Sequence, residues 1–274
     1  DGSPCPQGRT MMLLTEDGLA DTVKPRLEAA KAVPDQIAVL TMMKNQVESQ
    51  VSISDLSSPT VREALAKQPV RLMVIDPLTA FLPGIDSHRD TDVRQALGVL
   101  VSLAERHKMA VVCIMHLNKG QHHSALNRVG GSVAFGALAR AAYTVVRHPE
   151  DASSRVFGSI KMNVAKRPGD YDFRFSGDEE ATCLVWGDSP SKHNAESLLK
   201  QDRAQIDGKL KKATDFLSEI LEDGPVPATE VLTQGEDEGF SKSTIKRAKT
   251  VLAVVAKKKA NHWVWSLKES KPKS

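Results

Sequence analysis

Arg71-Leu72-Met73-Val74-Ile75-Asp76-Pro77 is the stretch on which the reading of this chain turns. Leu72 to Ile75 is an unbroken apolar run with β-branched Val74 and Ile75. Such a run suits a strand covered on both faces, as in a parallel sheet. It ends in one carboxylate, Asp76, at the C-terminal tip, where open α/β sheets bind their ligands. In phosphate-handling folds a carboxylate at that place holds Mg²⁺, usually through water. The competing reading is an Asp that merely caps the next helix.

The flanking sequence repeats the strand-then-helix pattern. Residues 10–15 are apolar and run into Glu16-Asp17, which predicts a second strand with acids at its tip. Helical spacing follows over 21–31, with Pro25 acceptable only in the first turn. Further strands are expected at 37–42, 109–115, 143–147 and 157–163, the last with a hairpin partner at 171–175. Helices are expected at 60–68, 92–108 and 133–142. Alternating strands and helices predict an α/β domain with a mainly parallel sheet over residues 1–186. The polar stretch 187–201, with Ser189-Pro190-Ser191, reads as a linker. Helices at 202–221, 228–238 and 242–254 and a strand at 263–267 then predict a winged helix-turn-helix over 202–274.

Composition narrows the setting. The chain has 274 residues, 41% hydrophobic and 26% charged, which is ordinary for a globular protein. No apolar run approaches the length of a membrane span. The three cysteines, Cys5, Cys113 and Cys183, are far apart and form no metal-binding pattern. With no signal-peptide pattern either, a reducing, cytoplasmic location is expected. Net charge is only +3, yet Lys242, Lys246, Arg247, Lys249, Lys257, Lys258 and Lys259 occur with no acid among them. That clustering is an electrostatic footprint for a polyanion.

Each candidate site has a plainer reading beside it. Glu16 at one strand tip and Asp76 at another can divide the work of nucleotide hydrolysis, one holding metal and one handling the attacking water. Glu16 reads equally as a first-turn acid favoured by the helix dipole, and Asp17 competes for either role. His116 ends a third strand, followed by Asn118, and could sense a phosphate; a lone His there is often structural. Lys119, His122, His123 and Arg128 lie in a glycine-flanked basic stretch able to touch a nucleic-acid backbone. Lys161 and Arg167 could reach a phosphate in a neighbouring subunit, or form a solvated basic turn. Ser241 is expected to cap a helix that buries Ile245 and Ala248 and lines its other side with Lys242, Lys246 and Lys249. That unit could instead serve protein contact alone.

Together, residues 12–30 (MLLTEDGLADTVKPRLEAA), 72–97 (LMVIDPLTAFLPGIDSHRDTDVRQAL), 113–120 (CIMHLNKG), 128–146 (RVGGSVAFGALARAAYTVV) and 160–168 (IKMNVAKRP) resemble the RecA-like, AAA-family ATPases of the plasmid and phage RepA-type hexameric helicase group. The resemblance implies ATP and Mg²⁺ as cofactors. Asp76 would be the Walker B aspartate, Glu16 the catalytic glutamate, His116 the sensor and Lys161 a subunit-bridging cation. The loops around His88-Arg89 and after His116 would grip single-stranded DNA in the channel of a ring, expected to be a hexamer. The basic C-terminal unit would bind duplex or origin DNA. One element departs: no GxxxxGK[ST] phosphate loop occurs in the chain. The expectation is a sheet without its first strand and an N-terminally truncated ATPase, inactive alone; the alternative is a non-hydrolysing DNA-binding regulator of replication or transcription.

Overall fold

The computed structural model describes residues 7–44, 47–49, 51–87, 89–117, 133–177, 182–259 and 262–267. The chain divides into two compact units, residues 1–198 and 199–274.

The first unit opens with β1 (Arg9–Leu14), a wide turn over Leu19–Val23 leading into α1 (Lys24–Ala29), and β2 (Ile37–Val39). A short hairpin, β3 (Met42–Lys44) and β4 (Val47–Ser49), precedes α2 (Pro59–Lys67). Then come β5 (Val70–Asp76), α3 (Asp90–His107) and β6 (Ala110–Cys113). Four of these strands form one parallel sheet in the order β2-β1-β5-β6, so the α/β architecture expected from the alternation is present. Residues 71–76 belong to its inner strand β5, in register with β1 from Thr10↔Leu72 to Leu14↔Asp76.

Local chemistry explains the helices. Ser58 accepts the Val61 N–H and Pro59 occupies the first turn of α2. Asp90 and Asp92 lie in the first turn of α3, Arg106 and His107 in its last, matching the helix dipole. Val93, Leu97, Leu100 and Leu103 of α3 share one buried cluster with Leu65, Leu13, Met73 and Ile75. Two-faced burial of β5 is corrected by its pattern. Met73 and Ile75 are fully buried, but Leu72 and Val74 only partly, and Val112 on β6 is 44% exposed. Among the described residues, one face of this sheet is well covered and the other is not.

The second half of the unit differs from the mainly parallel expectation. After α4 (Val133–Leu138), strands β7 (Ala141–Arg147), β8 (Ser154–Met162), β9 (Tyr171–Ser176) and β10 (Cys183–Pro190) make a separate antiparallel sheet. The helix expected over 133–142 stops at Leu138 because Ala141 and Ala142 pair with Met162 and Lys161. Sheet pairing outweighs their helix propensity. The stretch 187–201, read as a linker, carries the end of β10 and the start of α5 (Ala195–Ile220). Its polar residues are consumed locally. The buried Asp170 carboxylate accepts the Ala195 N–H at 2.7 Å and the Asn194 side-chain amide at 3.0 Å, satisfying donors at the helix start. Gly158 permits this closeness, since a Cβ there would lie 2.6 Å from both Asp170 Cγ and Ala195 Cβ.

In the second unit, α5 is followed by β11 (Val226–Pro227), α6 (Ala228–Asp237), α7 (Lys242–Val251), β12 (Val255–Lys259) and β13 (His262–Ser266). The strands form a three-stranded antiparallel sheet in the order β11-β13-β12. Ala213 and Leu217 of α5, Val231 of α6, Ile245 and Ala248 of α7 and Trp265 of β13 are buried together. Ser241 caps α7 by accepting the Thr244 N–H at 3.2 Å. Gly239, at φ 81°, ends α6 in the left-handed conformation that glycine adopts without strain. The tail of the expected helix 242–254 turns toward β12, and the basic Lys257–Lys259 run lies within that strand.

Candidate functional site

Parallel pairing puts the C-terminal ends of β1, β5 and β6 on one edge. Leu14 lies opposite Asp76, so Glu16 emerges beside the Asp76 carboxyl. Beyond β6, Ile114 donates its N–H to Ile75 O at 2.9 Å, and Leu78 donates to Ile114 O at 2.9 Å. These bonds keep the segment leading to His116 against the segment leaving Asp76. His116 Nε2 comes 3.6 Å from Glu16 Oε2, both side chains being largely exposed. Three strand-tip residues chosen from the sequence thus meet at one edge.

The acids there are electrostatically unequal. Burial is the largest influence raising Asp76 above its ordinary value. The nearby charges of Glu16 and Asp17 push the same way, and His116 opposes them. Asp17 and Glu16 face different partners. Arg26 Nη1 of α1 lies 3.1 Å from Asp17 Oδ2, whereas Glu16 is turned toward His116. The thiol of Cys113, at the end of β6, is pushed up to about 11 by burial and stays neutral.

Mutual repulsion among Asp76, Glu16 and Asp17 is the condition a divalent cation relieves, so the residues fit Mg²⁺. Among the described residues no group of three His, Cys, Asp or Glu closes on one point as a resident metal site would. A water-mediated Mg²⁺ held by one carboxylate and nucleotide phosphates does not require such a cage.

The other candidates are placed elsewhere. Lys161 Nζ donates to Gly136 O at 2.8 Å and Ala137 O at 3.0 Å, satisfying carbonyls at the C-terminal end of α4. Arg167 donates to Ser159 O and lies 3.2 Å from Glu196 Oε2. Both cations therefore have partners within their own unit, which sequence spacing did not reveal. Arg89 precedes α3, with Nη1 3.6 Å from Asp92 Oδ2. Asn118, Lys119, His122, His123 and Arg128, and also His88, lie outside the described residues.

In the second unit the α7 cations divide. Lys242 Nζ is 3.4 Å from Glu236 Oε1, and Lys249 Nζ sits 4.5 Å from the centroid of the Trp265 ring. Lys246 is exposed and Arg247 half-buried. The residues that sequence reasoning missed are Asp170, the cap of α5, and the aromatic positions of β7 to β10. An apolar-polar alternation was visible at 171–175, but not the strand that completes the face.

Among the described residues, no helix is long and apolar enough to cross a membrane. No curated protein matches the chain. Among solved structures, the crystal structure of the RadB recombinase is similar at 15% identity and a TM-score of 0.43, over 64% of this chain and 78% of that one. Residues 1–122, which contain β1 to β6 and the Glu16, Asp76 and His116 edge, match the family model of the AAA domain.

Proposed function

We propose that the chain belongs to an ATP-dependent DNA motor, a helicase-like ATPase of the plasmid or phage replication type. The reading rests on the convergence of Glu16, Asp76 and His116 at the C-terminal edge of a parallel sheet, within the span that matches the AAA domain. Asp76 would hold Mg²⁺ through water. When bound, that ion would neutralise charge developing on the transferred phosphate. Glu16, unpaired with Arg26 and turned to His116, orients the attacking water and takes its proton. His116, in reach of Glu16, links the state of the phosphate site to that carboxylate. Lys161 and Arg167 would act on a neighbouring subunit's nucleotide in a hexameric ring only by leaving their own carbonyl partners.

The motor reading requires a phosphate cradle, and no GxxxxGK[ST] occurs in this chain. DNA would pass through the ring as a single strand, gripped by Arg89 and by basic residues among 118–128. The C-terminal unit, with its three helices and basic hairpin, reads as a winged helix that binds duplex DNA through Lys246 and Arg247 above all. The absent phosphate loop favours one second reading, a non-hydrolysing DNA-binding regulator that uses the first unit for assembly.

DNA-stimulated ATPase activity, measured for this chain beside a form extended upstream, separates the two. Turnover in the extended form supports the motor. Silence in both, with DNA binding retained, supports the regulator.

A further inference from the structure

One face of the antiparallel sheet gathers Tyr143, Phe157, Tyr171, Phe173, Phe175 and Trp186. These are six of the twelve aromatic residues in the chain. Their register puts them on the same side. Val145 pairs with Phe157, Phe157 with Tyr171, and Phe173 with Trp186. The ring contacts agree: Tyr143 stacks on Phe157 at 5.0 Å, Trp186 lies 5.6 Å from Phe157 and 5.3 Å from Phe173, and Phe175 lies 5.7 Å from Phe173. The other side of the sheet buries Thr144, Val146 and Val156. On this side Phe173, at the centre, is buried beneath the neighbouring rings, but Tyr143 is 44%, Phe175 55% and Trp186 50% exposed. A contiguous apolar sheet face of this kind marks a binding surface.

Charge on the face selects the partner. Arg147 of β7 is directly opposite Arg155 of β8, and Arg155 is opposite Phe173. Like charges across a strand pair are destabilising unless an anion joins them. Among the described residues no Asp or Glu occupies a paired position on this side; Asp172 pairs with Val156 and belongs to the other, and Asp188 lies in the irregular stretch of β10 between Trp186 and Pro190. Arg155 is steadied by donating to Ala152 O and Ser154 O at the β7–β8 turn. A twofold axis passing near Arg147 and Arg155 would set arginine pairs against arginine pairs, which disfavours a second copy seated there. Flat rings beside paired guanidinium groups suit a chain of anions that carries its own flat rings.

We propose that this face is a stacking platform for single-stranded DNA, with bases on Tyr143, Phe175 and Trp186 and phosphates at Arg147 and Arg155. The proposal rests on the reading that DNA is the partner, and it adds a surface distinct from the ring loops and from the C-terminal unit. Anisotropy of a labelled oligo(dT) and of a duplex of equal length tests it on the full chain. Phe175→Ala and Arg147→Glu, at exposed positions, should each weaken oligo(dT) binding about tenfold and leave duplex binding unchanged. Arg147→Glu should also flatten the salt dependence of oligo(dT) binding. Unchanged oligo(dT) affinity in both variants overturns the platform. Duplex binding by the parent chain without oligo(dT) binding overturns it while DNA recognition stands; binding of neither overturns both. Self-association that Phe175→Ala dissolves, with oligo(dT) affinity untouched, would make the face a protein interface instead.

Discussion

His116 Nε2 lies 3.6 Å from Glu16 Oε2, although the two residues follow different strands of the parallel sheet. Asp76, on the strand between them, completes the edge. Glu16→Gln should therefore abolish turnover in an upstream-extended chain while leaving nucleotide affinity nearly intact, because the amide keeps shape but cannot take a proton. Single-turnover hydrolysis beside equilibrium nucleotide binding checks this; equal turnover would remove Glu16 from the mechanism.

Asp76 offers a test that needs no nucleotide. Its carboxyl titrates above its unfolded value, so the folded state holds the proton to higher pH. The ionised form then costs stability at neutral pH. That cost fades as pH falls through the folded pKa toward the unfolded one. Asp76→Asn should raise Tm at neutral pH, and the gain should vanish below the ordinary carboxylate range. A gain that does not depend on pH would mean the effect is packing and not charge.

Asp170 and Gly158 hold the start of α5. Asp170→Ala removes the acceptor of the Ala195 N–H and should cost about 0.5–2 kcal/mol as a lost helix cap, with the Asn194 amide also losing its acceptor. Gly158→Ala forces a methyl to 2.6 Å from Asp170 and Ala195 and should cost about 1–3 kcal/mol. Gly208→Ala, with open space around its Cβ inside α5, should stabilise by about 0.8–1 kcal/mol. Urea unfolding of the three variants should show these opposite signs.

The α7 cations should not be equivalent toward duplex DNA. Lys246→Ala with Arg247→Ala should weaken binding and reduce the salt slope by about 2. Lys249→Ala should chiefly cost about 0.5–1 kcal/mol of stability, because its ammonium lies over Trp265. Salt titrations and melting curves of both variants would separate the roles; an unchanged slope would mean that the helix does not touch DNA.

Much of this was legible locally. The apolar run with Asp76 at its tip, the Ser241 cap and the α3 periodicity each depend on neighbours within a few residues, so their elements fall close to expectation. The failures share a cause. Ala141 and Ala142 are good helix residues drawn into β7 by Met162 and Lys161, and Gly187–Pro190 is polar yet continues β10 beside β9. Lys161 looks like a free cation in sequence, but its partners, Gly136 O and Ala137 O, are backbone atoms that no motif encodes.

The alternation of strand and helix, the acids that end strands and the places where positive charge collects were all written in the order of residues alone. They follow from side-chain period, capping and composition, which are short-range properties. It took the folded chain to bring Glu16, Asp76 and His116 to one edge, to turn Asp17 toward Arg26, and to gather six aromatic residues on one face. The edge and the aromatic face depend on strand register between residues far apart in the chain, and register is set by the joint burial of many contacts.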